Sequence, residues 1–201
     1  SPGSFINSLC VASADNIGAT GAPLKFGDRD VYYTDTRASY PMTGITGSYS
    51  FVYIDAAGNA SDYSTVNSAV SLSGKIVIIN RGELSFVDKG KNASGYSPKA
   101  VIVANNEAGT ISMALDDLEA TFPMVSITLA DAEAIKAAST AKTTGGITYY
   151  TGSVTVTNTI SSGIVSSRSE AEVSSFSSWG VPGSLIMKPE ITAPGGSIYS
   201  V

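Results

Sequence analysis

The sequence predicts a β-rich α/β fold, and three observations support this. Residues 75–79 and 100–104 are two continuous apolar runs rich in β-branched side chains, a pattern typical of strands that are covered on both faces. Residues 85–94, which lie between these runs, carry apolar side chains at near-helical spacing. Most of the remaining chain alternates short apolar runs with turn-forming clusters, which favours several short strands.

The segment 75–104 predicts one βαβ unit. Ser85 is placed to cap the helix, and Phe86 to anchor it to the sheet. The charged residues at 88, 89 and 91 are expected on the opposite, exposed side of the helix. A crossover of this kind is right-handed, so the two strands should be parallel with the helix on one face.

A third buried strand is predicted at 123–127, followed by a second helix. Thr128-Leu129-Ala130-Asp131 has the spacing of a capping box, in which a hydroxyl and a carboxylate three residues apart satisfy the first backbone N–H groups. The helix body is expected at 132–138. We expect only these two helices in the chain.

The remaining regions predict strands and loops. Residues 147–157 alternate β-branched and aromatic side chains around Gly152-Ser153, a pattern that indicates a hairpin turning at these two residues. Residues 18–73 place tyrosines among Gly, Asp and Ser, which favours short strands, the best of them at 50–55.

Composition excludes several classes of protein. The 201 residues are 43% hydrophobic and 14% charged, which is not the composition of a disordered chain. The net charge of −5 lacks the basic footprint of nucleic-acid or anionic-lipid binding, so we expect neither partner. No apolar run reaches the roughly 18 residues that cross a bilayer. The first residues lack the features of a signal peptide, so we expect the chain to begin inside a longer protein.

The absence of histidine is the most decisive count. A Ser-His-Asp or Cys-His site and a His-ligated metal all need an imidazole, so none can be complete here. The lone Cys10 stands in an apolar setting and is expected to be a buried free thiol. The acidic residues at 116–119 lack calcium-loop spacing and predict a solvated loop. We therefore predict no catalytic residue, no cofactor site and no metal site.

Several tyrosines form the one candidate binding feature that the residues themselves offer. Tyr32 and Tyr33, together with Tyr40 and Tyr63, lie in the loop-rich first third of the chain. Such rings can stack on a peptide or a glycan, or they can pack in a core. If the rings stack on a ligand, Tyr32 and Tyr33 are the candidate substrate contacts.

The middle of the chain resembles a protease-associated (PA) domain. The matching residues are 74–77, then Arg81-Gly82 with Ser85-Phe86 and Lys89, then 99–106, and finally 122–127 before a helix. The resemblance implies a PA-domain fold, in which β-sheets are flanked by short helices around one βαβ unit.

The flanks resemble the catalytic domain of subtilisin-like serine proteases. Residues 174–180 and 188–195 are similar to the segment that leads toward the nucleophile serine of that family. Residues 9–15 are similar to a segment that borders its primary specificity pocket, and Ser1, Pro2 and Gly3 precede it. The resemblance implies an α/β/α catalytic domain, makes Ser1, Pro2 and Gly3 candidate substrate contacts, and places the catalytic triad outside these 201 residues.

Together the resemblances predict three regions. Residues 1–17 and 160–201 are expected to be catalytic-domain segments, and residues 18–159 a PA domain inserted between them. An inserted domain has adjacent ends, so the chain near Asn16 should lie close to the chain near Ser161. We also expect the strands around 9–12 and 190–193 to pair with each other or with a neighbouring molecule.

The resemblance implies a function by association. The chain is expected to be the non-catalytic PA-domain region of a secreted subtilisin-like endopeptidase, gating or selecting protein substrates. Its partners would be the rest of the parent protease and a protein or peptide substrate. The expected location is extracellular, secreted or attached to a bacterial cell wall. Two alternatives stay open, a binding or adhesion module for a host or wall ligand and a purely structural insert.

Overall fold

A computed structural model describes residues 7, 9–15, 18–164, 173, 174, 177 and 188–196. The chain divides into two compact units. Unit 1 comprises Ser1–Thr20 with Ser162–Val201, and unit 2 comprises Gly21–Ser161. Ser1, Pro2 and Gly3 lie outside the described residues.

The described residues form thirteen strands and three α-helices. The strands are β1 Val11–Asp15, β2 Gly18–Gly21, β3 Leu24–Phe26, β4 Arg29–Val31, β5 Thr34–Asp35, β6 Gly47–Ile54, β7 Ile76–Asn80, β8 Ala100–Ala104, β9 Met124–Ile127, β10 Thr140–Thr144, β11 Ile147–Val156, β12 Ser161–Ile164 and β13 Ile191–Gly196. The helices are α1 Ala60–Ala69, α2 Phe86–Ser94 and α3 Leu129–Ala137, and a 3-10 turn spans Met42–Ile45. The predicted β-rich fold with few short helices is confirmed.

Unit 2 is built on a mixed sheet. Its strand order is β4-β3-β11-β6-β7-β8-β9-β5, with β10 also paired to β11. Strands β6 to β9 are parallel neighbours, and β11 runs antiparallel to β6. In the predicted βαβ unit, Ile76 pairs with Ala100 and Ile79 with Val103, so the parallel arrangement is confirmed.

Two apolar clusters cover the faces of this sheet. Because successive strand residues point to opposite faces, Val52 and Ile54 belong to one cluster, and Phe51 and Tyr53 to the other. Helices α1 and α2 contribute to the first cluster, which we call the upper core; α3 contributes to the second, the lower core. Full burial of one large aliphatic side chain stabilises the fold by about 1.5–3 kcal/mol, so both faces add to stability.

The hairpin predicted at Gly152-Ser153 is wrong. Both residues lie inside the continuous strand β11, and Gly152 pairs with Phe51 of β6. The turn comes earlier, at Gly145-Gly146, where both glycines have positive φ, 52° and 81°. Two consecutive positive φ angles are typical of the two-residue turn whose twist matches that of a β-hairpin. Strands β10 and β11 pair with each other on either side of this turn.

Helix α1 was not predicted, because its sequence lacks a continuous apolar stripe. Only Tyr63 and Val66 are fully buried among its apolar residues, and polar Ser, Thr and Asn residues fill most of the remainder. Its start did carry a signal. Asn59 and Asp62 form a capping box, in which the Asn59 backbone N–H donates to Asp62 Oδ2 at 2.8 Å.

The predicted starts of α2 and α3 are confirmed. Ser85 Oγ accepts from the Asp88 backbone N–H at 3.1 Å, and Thr128 Oγ1 accepts from that of Asp131 at 3.2 Å. These hydroxyls satisfy N–H groups that have no partner within the helix.

Unit 1 holds two strand pairs. Strand β1 pairs with β13 in parallel, with Val11 opposite Ile191, and this confirms the predicted pairing of the two flanks. Strand β2 pairs with β12, and Thr20 Oγ1 lies 2.9 Å from Ser162 Oγ. None of the described helices is long and apolar enough to cross a membrane.

Candidate functional site

The carboxyl ends of the parallel strands β6 to β9 meet at one edge of the unit 2 sheet. In α/β sheets this edge is where ligands usually bind. A polar residue ends or follows each of these strands, with Asp55 after β6, Asn80 at the end of β7, Asn105 after β8 and Thr128, the N-cap of α3, after β9. Sequence reasoning missed this group, although a polar residue directly after each predicted strand was the available signal.

Tyr53, Asn80 and Asp55 form a hydrogen-bonded chain at this edge. Tyr53 Oη donates to Asn80 Oδ1 at 2.7 Å, and Asn80 Nδ2 donates to Asp55 Oδ1 at 2.8 Å. Burial of the phenol and, secondarily, the charge of Asp55 raise the pKa of Tyr53 far above its usual range. Tyr53 therefore stays protonated and acts as a donor, not as a base.

Lys136 brings a positive charge from α3 to the same edge. Its Nζ lies 3.5 Å from Asp55 Oδ1 and 2.7 Å from Glu133 Oε1. Burial alone would lower the pKa of Lys136, but the hydrogen bond to Glu133 and the Asp55 charge outweigh it and raise the pKa. The amine is therefore a permanent cation between two carboxylates.

Arg81 places a second cation further along the edge. Its Nη1 donates to Asn105 Oδ1 at 3.2 Å and lies 3.4 Å from Glu107 Oε2. The Arg81 side chain is 37% exposed and that of Glu107 is 73% exposed. An exposed ion pair contributes little to stability, so the guanidinium can exchange Glu107 for another carboxylate or carbonyl.

Lys89 supports the edge from inside the protein, which corrects its expected place on the exposed side of α2. The side chain is fully buried, and its Nζ donates to the backbone oxygens of Ala57 and Asn80. Burial lowers the pKa of Lys89, although the nearby Asp62 charge acts in the opposite direction. The amine thus ties the chain after β6 to the end of β7.

We call the eight side chains at this edge the carboxyl-edge cluster: Tyr53, Asp55, Asn80, Arg81, Asn105, Glu107, Glu133 and Lys136. The cluster offers hydrogen-bond donors and acceptors and side chains of both charges. These groups suit contact with the polar groups of a peptide. Its only hydroxyl belongs to Tyr53, whose raised pKa makes it a poor nucleophile. No group of three acidic or cysteine side chains able to hold a metal ion exists among the described residues.

The tyrosines that sequence analysis considered do not form one surface. Tyr63 lies fully buried in the upper core, whereas Tyr33 packs against the lower core on the opposite face of the sheet. Tyr32 is 7% exposed, and its Oη lies 3.1 Å from Ser161 Oγ. This burial favours a packing role for Tyr32, and ligand contact by Tyr32 and Tyr33 stays a prediction.

Cys10 is a free cysteine, as predicted, but it is half-buried, so the expectation of a buried thiol is wrong. Its backbone N–H donates to Glu190 Oε2 at 2.9 Å, and the other oxygen of Glu190 bonds Lys188 Nζ. The bond to Lys188 and then that to Cys10 lower the pKa of Glu190. The segment just before β13 is thereby linked to the segment just before β1.

Residues 46–135 match the PA domain family, so the chain contains a PA domain. The matched range runs from the start of β6 to the last turn of α3 and includes most of the carboxyl-edge cluster. The resemblance seen in the sequence is thereby confirmed for this region.

The chain is also similar to curated proteinases. It is 28% identical over 99% of its length to the PII-type proteinase of Lacticaseibacillus paracasei, of which it spans 10%. It is 28% identical over 93% of its length to the minor extracellular protease Vpr of Bacillus subtilis, of which it spans 22%. Among solved structures, a zinc aminopeptidase from Bacillus subtilis is 23% identical with a TM-score of 0.49, covering 74% of this chain and 33% of that one. This partial structural overlap indicates nothing about activity.

Proposed function

We propose that the chain is the non-catalytic, PA-containing region of a secreted subtilisin-like serine endopeptidase, and that unit 2 selects protein substrates. Three observations support this proposal: the PA domain, the similarity to proteinases along nearly the whole chain, and the absence of histidine from the sequence. The reactive groups would then belong to other segments of the parent protein, and this region would act by binding.

The pairing of β1 with β13 is the observation that carries the proposal. Val11 and Ile191 are direct partners although the whole of unit 2 lies between them in the sequence. At the ends of unit 2, Thr20 and Ser162 are joined by a hydrogen bond of 2.9 Å. This chain path supports the proposal that unit 2 is an insertion, because the two ends of an inserted domain normally lie close together.

The carboxyl-edge cluster gives the inserted unit a means of selection. Arg81 and Lys136 present cations, and Glu107 and Glu133 present exposed carboxylates. A protein substrate that contacts such groups gains binding energy away from the scissile bond. Energy of this kind raises kcat/KM for long substrates, whereas a short peptide that cannot reach the cluster gains nothing.

The test compares the parent protease with a variant in which a short Gly-Ser linker between Thr20 and Ser162 replaces residues 21–161. The rates of cleavage of a short peptide and of a folded protein are measured for both. We expect cleavage of a short peptide to be retained and kcat/KM for a folded protein substrate to change by at least about threefold, equivalent to roughly 0.7 kcal/mol of transition-state binding. A matched variant, Arg81→Gln with Lys136→Gln, keeps the insert and removes both cations of the cluster.

Two outcomes would contradict substrate selection. If both rates are unchanged, unit 2 takes no part in selection. If both rates fall together with thermal stability, unit 2 is a structural insert. If unit 2 selects substrates, the deletion must change kcat/KM for the protein substrate and leave kcat/KM for the short peptide unchanged. The matched variant must show the same difference without a change in thermal stability.

A further inference from the structure

A cleft lies in unit 2 where strands β8 and β9 begin, at the opposite end of these strands from the carboxyl-edge cluster. Its volume is about 550 Å³, within the roughly 300–1,000 Å³ of small-ligand pockets. The last turns of α2, the segment that leads into β8, the segment that leads into β9 and the 3-10 turn all contribute to its walls. We call it the lysine cleft, after Lys91 and Lys99.

The two lysines of the cleft are not used in ion pairs within the described part of the chain. Lys91 is exposed on the last turn of α2, and Lys99 Nζ lies 5.6 Å from the centroid of the Tyr49 ring. By contrast, Lys25 and Arg29 are each matched with an aspartate. Lys99 makes a cation–π contact, and neither cleft lysine has a carboxylate partner among the described residues. Two such cations in one concavity create a local field opposite to that of the whole chain, whose net charge is −5.

The rest of the wall mixes apolar and polar residues, and it includes one strained backbone position. Its apolar residues are all buried except Ile45, which is half-buried. Phe122 and Pro123 precede β9, and Ile45 lies across from them in the 3-10 turn. Ser97 has a φ of 50°, a left-handed conformation that a non-glycine residue adopts at a cost. This conformation leads the chain into Pro98 and Lys99 at the cleft wall.

We propose that the lysine cleft binds an acidic peptide segment, with carboxylates at Lys91 and Lys99 and an apolar side chain against Ile45. Charge complementarity selects this occupant, because a basic peptide would be repelled by both ammonium groups and a neutral peptide would offer neither of them a carboxylate. Glu119 also lines the cleft and repels a carboxylate, so it weakens binding. The proposal goes beyond substrate selection, since a peptide can bind here whether or not it is cleaved.

The test uses the 201-residue chain and two peptides of equal length, acetyl-Glu-Phe-Glu-Glu-amide and its glutamine analogue, with affinity measured by NMR titration. We expect the acidic peptide to bind and the analogue to bind at least about threefold more weakly, the scale of two exposed charge pairs. Binding should weaken between about 20 mM and about 300 mM salt as screening increases. Lys91→Gln with Lys99→Gln should give the same loss, and Glu119→Gln should tighten binding.

Lys142→Gln is the matched control, because Lys142 is exposed on β10 outside the cleft and its removal changes net charge in the same way as loss of one cleft lysine. The control is compared with the single change Lys91→Gln. The proposal is overturned if these two variants weaken binding equally, or if the two peptides bind the wild-type chain equally. Competition by inorganic phosphate at the same concentration as the peptide would also overturn it, since the site would then recognise a free anion. Because the parent's proteolysis is not measured, failure here leaves substrate selection by unit 2 separately testable.

Discussion

The ring of Phe51 fills the space that a side chain at position 152 would occupy. A Cβ built on Gly152 would lie 2.7 Å from Phe51 Cε1 and 2.8 Å from Cζ, closer than real contacts allow. The two residues are direct partners on antiparallel strands, and Phe51 is 3% exposed, so its ring cannot swing into solvent without leaving the core. Gly152 is thus required by packing and not by a turn.

Gly152→Ala should lower the free energy of unfolding by about 1–3 kcal/mol, the usual cost of overpacking a core. Urea unfolding measures this. Gly95→Ala is the control, because a Cβ there meets nothing within 4 Å and the φ of −63° is ordinary. Adding Phe51→Leu to Gly152→Ala should cost less than the two single changes combined. Additive costs would contradict the assigned contact.

Lys89→Met should destabilise the chain by about 1–3 kcal/mol, because it preserves the buried stem and leaves two backbone oxygens without their donor. Thermal unfolding measures the loss. Lys91→Met, two residues further along the same helix and exposed, should change stability by less than about 0.5 kcal/mol. Equal effects at the two positions would show that the buried amine does not tie β7 to the chain after β6.

Arg37→Met should loosen the long segment between β8 and β9. The Arg37 guanidinium donates to the backbone oxygens of Phe122 at 3.0 Å and Leu118 at 2.5 Å, and the side chain is buried. We expect faster amide hydrogen exchange across 111–123, with β7 and β8 unchanged, as for local opening. The control is Arg29→Met, whose ion pair with Asp131 is half exposed on the arginine side. Unchanged exchange in 111–123 would contradict this anchoring role.

Tyr33 should make stability fall in strongly alkaline solution. Burial and, secondarily, the Asp35 charge raise the pKa of Tyr33 from 10.0 to about 12. The unfolded chain therefore loses this proton first, so the stabilisation is complete below about pH 10 and is lost as the pH rises toward 12. Tyr33→Phe cannot ionise there, and its free energy of unfolding should decrease less between about pH 9 and pH 11 than that of wild type. Parallel curves for the two proteins would disprove the shift.

Sequence predicted most reliably the parts of the fold that are governed by local chemistry. The apolar runs at 75–79 and 100–104 became adjacent parallel strands, and Ser85 and Thr128 capped the helices that follow them. In each case the pattern within a few residues determines the outcome, since burial on both faces and an unpaired helix terminus have direct sequence signatures.

Contacts between distant residues were harder to predict. Gly152 looked like a turn because the Phe51 ring that requires it is about a hundred positions away in the sequence. Lys89 looked exposed because the carbonyls that hold it belong to the loop after β6 and to the end of β7. The carboxyl-edge cluster was missed for the same reason, since it exists only once several strands are placed side by side.

The pairing of Val11 with Ile191 has a consequence for the order of folding. During synthesis β1 emerges long before its partner, and closing so long a loop of flexible chain carries an entropic penalty that grows with the logarithm of loop length. Once unit 2 has folded, its two ends are already held together by Thr20 and Ser162, so the loop left to close comprises only residues 16–20 and 162–190. Strands β1 and β13 should therefore pair last, and a change that delays the folding of unit 2 should also delay this pairing.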